Sequence, residues 1–254
     1  TFGPRGCLTT PSQNPQVPYV VRKSHLVAPA LLELGLVNET ENMAWRSAIA
    51  HEWAARHGDE KSSVLFPLAA NPFGEQEILA MSEVLLSGRL TLGEEVAAAE
   101  REFADAVGAP FAVMVNSGSS ANLLMVAALL NPKRPNHCSP GDEVLVPSVC
   151  WSTSVAPLLQ FGLVPVFLDV SPVTFNTTGA EMKAALRRHP KVKAILAVHV
   201  LGNSADMVEL CQIASQHNLI LLEDTCEALG STSEVSAPPS KTQYLGLFGA
   251  FGSY

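Results

Sequence analysis

From about residue 74 onward the chain alternates between two hydrophobic rhythms. Short, nearly continuous apolar runs occur at FAVMV (111–115), EVLVPS (143–148), VPVFLDV (164–170), KAILAVHV (193–200) and LILLED (219–224). Each is short and apolar over most of its length, so each is predicted to be a strand buried on both faces. Helical patterns fill the gaps at 120–130, 152–161, 179–188 and 205–217. Two further helices precede them, GEQEILAMSEVLLSG ending at Gly88 and EEVAAAEREFADAVG ending at Gly108. Strands alternating with helices predict an α/β domain, a three-layer sandwich with a mostly parallel sheet. In such sheets ligands sit beyond the carboxyl ends of the strands.

Upstream the rhythm is different. Residues 1–25 are rich in Pro, Thr and Gln, lack the apolar stretch of a secretory signal, and are predicted to be a flexible arm. Residues 26–65 are expected to form a helical N-terminal extension built on LVAPALLELGLV and ENMAWRSAIAHEWAARHG. In the second pattern Trp45, Ile49 and Trp53 recur every four residues as one apolar stripe, and Gly58 is placed to cap the helix. Residues 66–254 then carry the sheet.

Composition narrows the field. Of 254 residues 47% are hydrophobic and 16% charged, which suits a globular core. A net charge of −8 without a basic run argues against nucleic-acid or anionic-membrane partners. No apolar run approaches the ~18 residues of a membrane-spanning helix. The five cysteines are an odd number with no CxxC pair, which argues against a disulfide framework or a zinc site and for a reducing, cytoplasmic compartment. His51 and His57 stand six residues apart, where a zinc-binding HExxH helix needs four, so no metal is expected. GxSxG is absent, and Gly246, Gly249 and Gly252 open no helix and are predicted to form a turn or hairpin.

Candidate chemistry recurs at the carboxyl ends of the predicted strands. Asn116-Ser117-Gly118-Ser119-Ser120-Ala121-Asn122 joins the first strand to a helix. The first N–H groups of a helix lack intrahelical partners and face the positive end of its dipole, so such a turn suits a phosphate. Ser and Asn are also ordinary N-caps, so the turn alone fits two readings. Trp151 follows the second strand and suits either stacking on an aromatic ring or the core. His199 closes the fourth, as a donor to a ligand oxygen or a satisfied buried histidine. Asp224 closes the fifth, where a carboxylate needs a cationic or donor partner such as a protonated pyridine nitrogen, or else caps the next turn. Glu227 is a supporting acceptor or a solvated helix residue.

The order NSGSSAN, PSVCWSTS, HVLGNSADM, EDTCEALGS and a glycine-rich segment leading to GSY resembles the DegT/StrS family over roughly residues 66–254. The resemblance implies a pyridoxal-phosphate enzyme of the aspartate-aminotransferase fold, type I, acting on nucleotide-linked keto-sugars in deoxyamino-sugar and polysaccharide biosynthesis. It places Gly118, Ser119 and Ser120 at the phosphate of pyridoxal 5′-phosphate or pyridoxamine 5′-phosphate, Trp151 on the ring face and Asp224 at the ring nitrogen. His199, Gly202 and Asp206 match a segment taken as structural. Glu227 stands where the family usually carries Gln, and the resemblance implies a cofactor-binding position there, at the ring oxygen. The family's Schiff-base lysine is expected just after Tyr254, so residues 66–254 correspond to a partial large domain, incomplete at its C-terminus, with no catalytic residue of its own.

The family divides between aminotransferases and 3-dehydrases that use pyridoxamine phosphate and a histidine in place of the lysine. NSGSSAN, HVLGN and EDTCEALGS look closer to the dehydrases and CWST to the aminotransferases, which rank first on frequency. The resemblance also implies a homodimer, a nucleotide-linked sugar and an amino donor. A non-catalytic scaffold is the reading from another class, motivated by the unmatched lysine, Glu227 and the N-terminal extension.

Overall fold

Strand-forming runs become strands only in pairs, and four of the five predicted runs find partners. The computed structural model describes residues 39–57, 74–91, 93–134, 136–235, 241–244 and 249–250. The arm at 1–25, the pattern at 26–37, Gly58, Gly246 and Gly252 lie outside the described residues. The described residues before 100 and those from 100 onward form separate compact units.

In the first unit, α1 (Glu39–His57) and α2 (Glu75–Ser87) follow the predicted patterns. Trp45, Ile49 and Trp53 are half-buried while their neighbours at 51, 52 and 54–57 are exposed, as the stripe requires. Arg46 pairs with Glu83 of α2. The His57 ring stacks on Trp53 with centroids 3.9 Å apart. Gly88 ends α2 at φ 68°. Helix α3 (Glu94–Val107), which runs past residue 100, matches the pattern predicted to end at Gly108.

The second unit is built on a five-stranded parallel sheet. Its strands are β1 (Glu143–Pro147), β2 (Val164–Leu168), β3 (Val192–Val198), β4 (Ile220–Asp224) and, after an antiparallel hairpin of β5 (Thr232–Val235) and β6 (Lys241–Tyr244), the short β7 (Gly249–Ala250). Their spatial order is β2-β1-β3-β4-β7, all parallel. Gly249 therefore extends the sheet beside Glu223, where the glycine spacing predicts a turn or hairpin. A glycine in a strand commonly marks such a close backbone approach.

Four helices cover this sheet: α4 (Gly118–Leu129), α5 (Ser152–Gln160), α6 (Gly179–Arg188) and α7 (Met207–Gln216). Side chains alternate across a strand, so each face gathers its own core. Val144, Val146, Ala194, Leu196, Ile220 and Leu222 pack with Val126, Leu129 and Leu158 of α4 and α5. Leu145, Ile195 and Ala197 pack with Met182, Ala185, Leu210 and Ile213 of α6 and α7. The β1–β3 register shifts between Glu143 and Val144, which carries Val192 into the second cluster. Full burial of a leucine such as Leu145, Leu196 or Leu210 contributes roughly 1.5–3 kcal/mol. This is the three-layer α/β sandwich that the hydrophobic rhythm predicts.

Residues 111–115 depart from expectation: they form no strand. Phe111 and Val113 are 85% and 72% exposed. No described strand lies alongside them, and the Met114 N–H donates instead to Glu100 Oε1 at 2.8 Å. β propensity is realised only when a neighbouring strand receives the run.

Candidate functional site

Helix α4 begins at Gly118 because Ser117 caps it. Its hydroxyl accepts from the Ser120 N–H at 3.2 Å, and its carbonyl accepts from the Ala121 N–H at 3.0 Å. Those bonds commit Ser120 and leave the N–H groups of Gly118 and Ser119 at the positive end of the helix, available to an anion. Capping therefore does not use up the turn: the cap is Ser117, and the N–H groups of the next two residues remain as donors.

Asp224 ends β4 with its side chain almost wholly buried. Its Oδ2 accepts from Asn122 Nδ2 at 2.9 Å and from Ser154 Oγ at 2.7 Å. Its Oδ1 accepts from the Cys226 N–H at 3.2 Å, a local turn closure. Asp224 is thus a turn-capping carboxylate that is also tied to two helices. Bonds from donors to a carboxylate are the condition for keeping one in an apolar setting.

Two of these donors were not singled out from the sequence. Asn122 lies one turn after Gly118 and Ser154 three residues after Trp151, so each shares a helical face with a predicted ligand contact. Those spacings were the available signal. Asn122 joins the predicted phosphate turn to Asp224: an i to i+4 step rises about 6 Å along a helix, the length scale of a pyridine ring with a phosphate-bearing arm.

Trp151 precedes α5 and is 74% exposed, so the core alternative fails and its ring is open for stacking. Burial first and the charge of Asp224 second push the Cys150 thiol above its ordinary range. Glu227 lies on the surface, where its Oε2 accepts from the Leu201 N–H at 2.6 Å.

His199 is fully buried with both ring nitrogens engaged. Nδ1 accepts from the Ala205 N–H at 3.1 Å, which leaves the proton on Nε2 to donate to Glu223 Oε2 at 3.1 Å. Its backbone N–H donates to the Asp224 carbonyl at 3.2 Å. Asp206 caps α7 by accepting from the Glu209 N–H at 3.0 Å. Gly202 holds φ 79°, and a Cβ there would meet the Glu227 carbonyl oxygen at 3.2 Å. Gly118, Ser119, Trp151 and Asp224 thus belong to the α4–α5 side of the strand ends. His199 is bound into the neighbouring scaffold.

Among the described residues no helix is long and apolar enough to cross a membrane. The chain is 40% identical over 194 residues to the GDP-4-keto-6-deoxy-D-mannose 3-dehydratase of Yersinia pseudotuberculosis, covering 76% of this chain and 48% of that protein. It is 35% identical to the GDP-perosamine synthase of Caulobacter vibrioides, covering 56% of this chain and 36% of that one. A solved structure of the E. coli GDP-4-keto-6-deoxy-D-mannose-3-dehydratase with bound hydrated PLP superimposes with a TM-score of 0.63 at 41% identity, over 68% of this chain and 43% of that one. The chain spans about half the length of the 3-dehydratase relatives it matches, 48% of the Yersinia protein and 47% of a second curated sequence, the GDP-4-keto-6-deoxy-D-mannose 3-dehydratase of Escherichia coli O55:H7. The profile of the DegT/DnrJ/EryC1/StrS aminotransferase family matches residues 72–254, and the chain belongs to that family.

Proposed function

We propose that this chain binds pyridoxal or pyridoxamine 5′-phosphate and serves a 3-dehydratase of nucleotide-linked 4-keto-6-deoxy-sugars. The observation that carries the cofactor reading is the Asn122 bridge, which ties the buried Asp224 carboxylate to the helix whose first turn offers the open N–H groups of Gly118 and Ser119. The donor set suits the group: a carboxylate for the ring nitrogen, backbone amides and Ser119 for the phosphate, and an exposed indole, Trp151, for the ring face. When bound, the cofactor supplies an electron sink for charge developing on the sugar. Asp224 holds the proton on the ring nitrogen, Trp151 covers one ring face, and Gly118 and Ser119 anchor the phosphate. Glu227 serves the Leu201 turn, which supports a scaffold role for it rather than a cofactor contact.

The ranking of dehydratase over aminotransferase rests on similarity. Relatives named as 3-dehydratases reach 40–42% identity, against 35% for the perosamine synthase. This reverses the order given by family frequency. The aminotransferase reading stays as the second, supported by the family to which the chain belongs and by the CWST segment. A homodimer using a nucleotide-sugar substrate and an amino donor completes the proposal.

The test has two stages. The chain is titrated with pyridoxal 5′-phosphate while absorbance is followed. A spectral shift abolished by Asp224→Ala is expected, and its absence overturns the cofactor reading. The enzyme is then given a nucleotide-linked 4-keto-6-deoxy-sugar and glutamate, and the product is weighed by mass spectrometry. Loss of the C3 oxygen supports the dehydratase, and replacement of the keto oxygen by an amino group supports the aminotransferase.

A further inference from the structure

We propose that Asn122 and Ser154 are positioning residues that decide which oxygen of Asp224 meets the cofactor, leaving Oδ1 as the acceptor for the ring nitrogen. This rests on the cofactor reading above. A carboxylate oxygen offers about two lone-pair sites. Oδ2 fills both, with Asn122 Nδ2 at 2.9 Å and Ser154 Oγ at 2.7 Å. Oδ1 receives one longer bond, from the Cys226 N–H at 3.2 Å, and keeps a site open. The two oxygens are chemically inequivalent before any ligand arrives.

The arrangement is repeated on two helices. Helix α4 presents Gly118 and Ser119 in its first turn and Asn122 one turn later. Helix α5 presents Trp151 at its start and Ser154 three residues on. Each helix therefore carries a cofactor contact and a donor to Asp224 on neighbouring positions, so the grip on the phosphate, the ring face and the carboxylate share the same two rigid bodies. The Asn122 amide supports a retained donor role. Its Oδ1 is buried with no partner, an orphan that an apolar side chain at 122 would not leave. With either donor removed, Oδ2 keeps one bond instead of two, the carboxylate is held less firmly about its Cβ–Cγ bond, and the aim of Oδ1 loosens.

The experiment compares the chain, Ser154→Ala and Asn122→Ala in binding pyridoxal 5′-phosphate and its 1-deaza analogue, in which carbon replaces the ring nitrogen. The unsubstituted chain is expected to prefer pyridoxal phosphate by about tenfold or more, the scale of a hydrogen bond to a charged group. Both variants are expected to lose most of that preference while binding the deaza analogue as before. A structural role alone would weaken both ligands equally. Variants that keep the preference, or lose affinity for both ligands in parallel, overturn the inference, as does an unsubstituted chain that binds both ligands alike. An unsubstituted chain that binds neither overturns the cofactor reading itself. Ser154→Ala deletes a single buried oxygen, so it decides the matter if Asn122→Ala does not fold.

Discussion

His199 Nε2 and Glu223 Oε2 meet at 3.1 Å, with the imidazole wholly shut off from solvent and the glutamate nearly so. The second ring nitrogen is held by the Ala205 N–H, so the histidine joins the ends of β3 and β4 to the segment that enters α7. Removing the ring leaves the Glu223 carboxylate short of a donor and opens a cavity. His199→Ala should lower unfolding free energy by about 3 kcal/mol or more, read as a fall in the urea midpoint. Glu223→Gln should cost much less, because its amide oxygen still accepts from Nε2–H. Equal losses in the two variants would contradict the tautomer assigned here.

Leu201 holds φ 54°, a left-handed conformation unusual for leucine, and its side chain is 78% exposed. The Glu227 carboxylate pins its N–H at 2.6 Å. Leu201→Asn relieves the backbone at little cost in packing and should raise stability by about 0.5–1 kcal/mol. Glu227→Gln keeps an acceptor and should change stability by less than about 1 kcal/mol, whereas Glu227→Ala should cost about 1–2 kcal/mol. Thermal midpoints of the three variants check the order.

Gly202 faces a backbone atom at close range while adopting a positive φ. Gly202→Ala must therefore strain the turn and crowd the Glu227 carbonyl at once, a loss of about 1–3 kcal/mol. Differential scanning calorimetry should show a lowered midpoint, and a neutral substitution would mean that the turn relaxes freely.

Burial, then the charge of Asp142, raises the Cys138 thiol, as burial and then Asp224 raise that of Cys150. Both folded thiols hold their protons more tightly than they do in the unfolded chain. Their contribution is complete below the ordinary thiol range and is lost as pH rises through the folded values. Urea midpoints should fall as the pH rises above about 8, with a shallower fall in Cys138→Ala and in Cys150→Ala. In Asp224→Asn the Cys150 thiol should be alkylated by iodoacetamide faster than in the unsubstituted chain at about pH 8.

The sheet was legible because its strands are apolar on both faces and short, a pattern few other elements share. Asp224 was legible for the same reason, as a charge closing an apolar run. Asn122 and Ser154 were not, although both lie inside motifs that stood out. Their importance depends on two helices converging on one carboxylate, and no periodicity within either helix encodes that meeting. The run at 111–115 misled because its composition states a preference, while pairing needs a neighbour that composition cannot supply. Gly249 misled in the opposite sense: spacing marks glycine as a bend, yet here the absent side chain accompanies a place in the sheet.

Glu223 and Asp224 are consecutive, so the pleat sends one acid toward His199 and the other toward Ser154 and Asn122. A slip of β4 by a single residue against β3 would exchange them and strand a negative charge in each half of the molecule. Alignment of that strand is thus proofread by electrostatics as well as by oil and water, and a misassembled sheet would announce itself by refusing to stay dry.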